Sequence, residues 1–144
     1  MIAVRVPVAL LMVLLVLGSI AAQTSGRFRA RLATVPIDFV TAPAVTGSGA
    51  ATAELTGTRL KITGTFEGMT GPATLAQVHR GPRGIRGPVL FDLTVSKETK
   101  GSIEGTVDLK PNQIEDLKQG RFYIQIHSEK APDGNLWGWL FVEP

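Results

Sequence analysis

The chain has 144 residues, with 15 Lys or Arg against 12 Asp or Glu, 2 His and no Cys. That length fits one domain able to bury a core without covalent staples. The absence of cysteine excludes disulfides, thiolate metal sites and thiol catalysis, and a formal net charge of +3 names no partner.

In chain order, Arg5 is followed by an apolar run from Val6 to Leu17 and then by Gly18-Ser19-Ile20-Ala21-Ala22. This is the layout of a secretory signal peptide over residues 1–22. The apolar run is too short for a bilayer span of about 20 residues, so cleavage near Ala21 or Ala22 is expected. The expected location is secreted or periplasmic, with no stable membrane span after processing.

Beyond the signal, short alternating runs separated by Gly, Pro and Thr predict strands at residues 28–32, 50–55, 60–66, 74–79, 89–95, 102–109, 122–127 and 136–142. The segment 33–49, with Pro36 and Pro43, reads as a long loop or edge strand. "KPNQIEDLKQG" reads as a short helix: Pro111 suits a first turn, Ile114 and Leu117 stand three apart, and Gly120 ends it. Eight short strands predict a sandwich or barrel, and no linker divides the chain.

"HRGPRGIRGPV" carries glycine at 81, 84 and 87. Three triplets are too few for collagen, no helix follows to make a phosphate loop, and no aromatics interleave the arginines as nucleic-acid binding would need. A tight strand-to-strand connection, with glycines for positive φ and prolines that stop pairing, is the expectation.

The succession "AQVHRG", "GIRGPVLFDL", "GTVDLKPNQIEDLKQGRFYIQIHS" and "PDGNLWGWL" resembles the CHRD domain, the repeat named from chordin and found singly in secreted microbial proteins. His79, Gly81, Gly87, Pro88, Leu117, Gly120, Tyr123, His127, Pro132, Gly134, Gly138 and Leu140 carry the resemblance, which begins near Phe28. It implies an all-β, antiparallel Greek-key/immunoglobulin-like β-sandwich of about eight strands with one short helix, over residues 28–143. It also implies an extracytoplasmic location and no established enzymatic activity. Two departures from the family pattern stand out: Gln77 replaces the first histidine of a His-x-His strand, and Trp137 and Trp139 stand at outward positions that are usually polar. The first departure weakens a metal site, and the second points to a contact surface.

Strand alternation puts Phe122, Ile124 and Ile126 on the core face of one strand. "APDG" is a turn signal that makes this strand and the last one a hairpin. The opposite face then gathers Tyr123, Gln125, His127, Trp137, Trp139 and Phe141. It reads either as an aromatic platform for a partner protein, a glycan or a membrane interface, or as a face covered by the 33–49 loop through Phe39.

A second candidate surface is basic: Arg27, Arg29 and Arg31 share one side of the first strand, and Arg80, Arg83 and Arg86 could join them. The alternatives are an anion-binding surface and a charged edge strand that blocks aggregation. His79 and His127 could share Zn²⁺ or Cu²⁺ with Glu129 or Asp133, but hydrogen bonds that pin loop backbone are the favoured role, so no metal or cofactor is expected.

No nucleophile elbow, H-E-x-x-H or convincing carboxylate pair occurs, so no enzyme is expected. The functional expectation is a non-catalytic binding or adhesion module whose partner is an extracellular or envelope protein or glycan, not nucleic acid. The alternative is a metal-binding or metal-dependent redox protein using His79 and His127.

Overall fold

The computed structural model describes residues 25–144, so the signal segment lies outside the described residues. The elements are β1 (Ser25–Thr34), β2 (Ser48–Thr56), β3 (Arg59–Glu67), β4 (Ala73–Arg80), β5 (Val89–Val95), β6 (Gly101–Asp108), α1 (Pro111–Lys118), β7 (Phe122–Ser128), β8 (Leu136–Trp139) and β9 (Phe141–Val142). All eight predicted strands are present, and the last is divided at Leu140. There the chain changes partners: Leu136 to Trp139 pair with β7, Phe141 and Val142 pair with Arg29 and Phe28 of β1, and buried Leu140 donates its N–H to the Phe122 carbonyl at 2.9 Å.

The strands hydrogen-bond in the order β2-β3-β6-β5-β4-β7-β8-β1, and β1 pairs back onto β2. The result is a closed eight-stranded barrel, with β9 added on β1, where an open sandwich was expected. Closure follows from the length of β1. It pairs with β2 from Ser25↔Thr56 to Leu32↔Gly49, while its last residues, Ala33 and Thr34, pair with Trp137 and Leu136 of β8. β1 is therefore not the edge strand that the charged-edge reading required: it has β2 along one side and segments of β8 and β9 on the other. The connections β3–β4 and β6–β7 each pass over two strands, and the second carries α1.

Inward alternation fills the barrel. Phe28, Ala30 and Leu32 of β1 meet Ala51, Ala53 and Leu55 of β2, Leu60, Ile62 and Phe66 of β3, and Phe122, Ile124 and Ile126 of β7 in one core. Each fully buried large side chain contributes about 1.5–3 kcal/mol of transfer free energy. Helix α1 begins as predicted at Pro111, with the Lys110 N–H donating to Gln113 Oε1 at 2.9 Å, and ends at Gly120, whose φ is +70°. Leu117 is its buried anchor.

The 33–49 segment is a loop after Thr34, held by a second small cluster of Val35, Val45 and Ala131 with half-buried Trp137 against it. Buried Asn135 fastens it: its Nδ2 donates to the Thr46 carbonyl at 2.7 Å, and its Oδ1 accepts from Ser128 Oγ at 2.8 Å. Phe39 is fully exposed and covers nothing.

Candidate functional site

The outer face of β4, β7 and β8 is where the sequence placed its aromatic residues. Register aligns His79 with Tyr123 and Tyr123 with Trp139, and in the next row Gln77 with Gln125 and Gln125 with Trp137. The rings meet: His79 stacks on Tyr123 at 4.8 Å, Tyr123 lies 4.6 Å from Trp139, and Trp137 meets Trp139 edge-on at 4.8 Å. Alternation thus brings Tyr123, Gln125, His127, Trp137 and Trp139 to one face. Phe141 joins it from β9 rather than from the hairpin.

This face is not the exposed platform one reading predicted, because Tyr123, Gln125 and Trp139 are buried. Nor is the 33–49 loop its main cover. The glycine-rich connection between β4 and β5 folds back over it. Trp139 Nε1 donates to the Gly81 carbonyl at 2.9 Å, His79 Nδ1–H donates to the Gly87 carbonyl at 2.9 Å, and the Gly87 N–H donates to the Tyr123 hydroxyl at 2.9 Å. Of the three glycines, only Gly84 has positive φ, +81°. At Gly87 the requirement is space: a Cβ there would overlap the Arg80 carbonyl oxygen. At Gly81 a Cβ would lie 2.6 Å from the Ile85 carbonyl oxygen.

Two depressions stay open on this face, and Arg86 lines the second; its guanidinium lies 5.9 Å from the Trp137 ring centroid and donates to the Asp133 carbonyl at 2.8 Å. The first is a groove of about 400 Å³ lined by Arg31, Arg83, Trp137, Gly138, Trp139 and Phe141. Arg83 sits 5.4 Å over the Phe141 ring. Gly138 forms part of the floor, and a Cβ there would overlap the Arg31 carbonyl oxygen of β1.

The six predicted arginines do not make one basic edge. Arg27 pairs with Glu54 at 2.9 Å and Arg29 with Glu143 at 2.9 Å, while Arg80 pairs bidentately with Asp116 of α1 at 2.6 and 3.1 Å. The Arg80 guanidinium holds the Asp116 carboxyl below the usual carboxylate range. Among the described residues, Arg31, Arg83 and Arg86 form no ion pair. Arg31 and Arg83 are therefore the cations free to meet an anion in the groove.

The second depression, of about 600 Å³, is lined by His79, Tyr123, Gln125, His127, Arg86 and Asp133 among others. His127 Nδ1–H donates to the Pro132 carbonyl at 2.7 Å, so it pins the β7–β8 turn as His79 pins the glycine-rich connection. Gln125 Nε2 donates to the Asp133 carbonyl at 3.1 Å and to His127 Nε2 at 3.3 Å. His79 Nε2 and Gln125 Oε1 are buried without a protein partner. Burial pushes the His79 pKa down, and the nearby charges of His127 and Arg86 add to the effect against the Gly87 carbonyl bond. Gln77 is turned to Asp92 at 2.8 Å. Among the described residues, no three His, Asp or Glu side chains are grouped to hold a metal.

One residue of the site escaped the sequence reading. Asn135 anchors the loop beside Trp137, and its only signal was a polar residue between a turn and an apolar strand. Gly138, singled out in the sequence only as part of the family pattern, lets β1 approach the floor. The described residues thus form a small, closed, antiparallel all-β domain with a cationic, aromatic groove on its surface. The chain belongs to the CHRD-domain family, whose sequence profile matches residues 28–140. No curated protein and no solved structure matches it. Among the described residues, no helix is long and apolar enough to cross a membrane.

Proposed function

We propose that the protein is an exported, secreted or periplasmic binding module without catalytic activity, and that the groove between Arg31 and Arg83 takes an acidic glycan. The observation that carries the reading is the juxtaposition of two unpaired guanidinium groups with Trp137, Trp139 and Phe141. A sugar ring stacks on an aromatic wall through its apolar C–H face, and a guanidinium fork fits a carboxylate or sulfate bidentately. The signal layout of residues 1–22 supports export, and the two connections that each pass over two strands support a Greek-key, immunoglobulin-like description of the barrel's halves.

The alternative, a metal-binding or redox protein using His79 and His127, draws on the buried, unpartnered Nε2 of His79. It is the weaker reading, because His127 Nε2 already accepts from Gln125 and the positive Arg86 lines the same depression.

Both tryptophans of the chain line the groove, so tryptophan emission reports on this site. Titration with an oligogalacturonate at low salt should change the emission, a neutral galactose oligomer should not, and added salt should weaken the effect. Arg31→Ser with Arg83→Ser should raise Kd by about tenfold or more while leaving thermal stability nearly unchanged, since both charges are exposed and unpaired. A flat titration, or an unchanged Kd in the double variant, would overturn the proposal.

A further inference from the structure

Arg31 lines not only the aromatic groove but also a neighbouring depression of about 650 Å³ that runs to Lys100. Ala50 and Thr65, on the floor of that depression, also line a third one of about 370 Å³ beside Thr52 and Thr63. The strand register explains this continuity. Arg31 pairs with Ala50, Ala50 with Thr65 and Thr65 with Ser102, so one row crosses β1, β2, β3 and β6, and all four residues are exposed. Three strand spacings of about 4.8 Å make the row roughly 14 Å long, and the aromatic groove extends it on the other side of Arg31.

We propose that these depressions form one trough that binds a polymer, an extended anionic polysaccharide laid across the strands from Trp137 and Phe141 to Lys100. The inference rests on the acidic-glycan reading of the groove and adds the length and direction of the ligand. Arg31 at the junction and Lys100 at the far end form no ion pair among the described residues. Between them the floor offers the Thr65 hydroxyl and the low Ala50 side chain. Glu67 and Glu98 flank the same stretch. Cations set apart by hydroxyl-bearing and acidic positions fit a chain whose carboxylates are separated by uncharged sugar faces. They do not fit nucleic acid, whose closely spaced phosphates would meet the two glutamates.

The test compares a dimer with an octamer of hyaluronan, in which each uronic acid is followed by a neutral sugar, on the folded protein and on two surface variants, Thr65→Tyr, which raises the floor, and Lys100→Ser, which removes the far cation. The octamer should bind the unaltered protein about tenfold tighter than the dimer. Both variants should lose most of that gain and keep dimer binding, which uses the aromatic end. If Thr65→Tyr fails to fold, Lys100→Ser decides alone. An octamer no tighter than the dimer, or a gain that survives in the folded variants, overturns the trough and leaves the groove proposal standing. Failure of both oligomers to bind overturns both.

Discussion

His79 joins three features of the site: it stacks on Tyr123, holds the Gly87 carbonyl, and keeps its other ring nitrogen buried without a partner. An added proton would have no acceptor there and would face Arg86 and His127, so burial holds the imidazole neutral. The folded-state pKa thus lies below the unfolded value of about 6.5, and as pH falls the unfolded chain takes the proton first. Stability should be full above about pH 6.5 and decline as pH drops through that value. Urea midpoints at about pH 7.5 and about pH 5.5 measure the decline, and His79→Gln, whose amide can still reach the Gly87 carbonyl, should remove most of it. An equal decline in the variant would overturn the assignment to His79. Gly87 shows the same economy of space: the bonds that fasten the connection to Tyr123 and His79 hold because no side chain keeps Gly87 from the Arg80 carbonyl.

Helix α1 illustrates how an element can divert a residue from a predicted surface. Arg80 was expected to stand with Arg83 and Arg86, but β4 ends against the helix, and buried Asp116 captures the guanidinium in a two-pronged bond. Asp116 also lies 3.6 Å from Arg121, so it ties the end of β4 to the start of β7. Asp116→Asn should cost about 1–2 kcal/mol at neutral pH, measured by urea denaturation, since a charge-assisted bond is lost while the arginines stay half in solvent. Because the folded carboxyl titrates below its ordinary value of 3.8, this contribution is present at neutral pH and disappears as pH falls below the carboxylate range. The difference between variant and parent should therefore shrink in acid.

The barrel closes where β1 meets β8, and Gly138 sits at that seam. A Cβ there would overlap the Arg31 carbonyl and come within 3.0 Å of Leu32. Gly138→Ala should destabilise by about 1–3 kcal/mol in thermal or urea unfolding. It should also red-shift Trp emission, because Trp137 and Trp139 flank the position. A neutral, spectrally silent variant would show that closure tolerates a wider seam than the geometry indicates.

Local chemistry was enough to specify the strands, the helix and the turns. Period-two runs, Pro111, Gly120 and "APDG" act through neighbours a few residues away, and their physics is in the order of the residues. The aromatic face was legible for the same reason: alternation sends Tyr123, Gln125, Trp137 and Trp139 to one side whatever the strand's partner. Which strands become partners is a long-range matter, set by the register of β1 against β2 and β8 and by the two connections that cross the barrel. Closure in place of an open sandwich, the folding of the glycine-rich connection over its own aromatic face, and the pairing of Arg27, Arg29 and Arg80 with distant carboxylates were therefore decided only in three dimensions. Arg31 and Arg83, 52 positions apart in sequence, became one site because the closed barrel placed both beside Trp137, and neither forms an ion pair among the described residues.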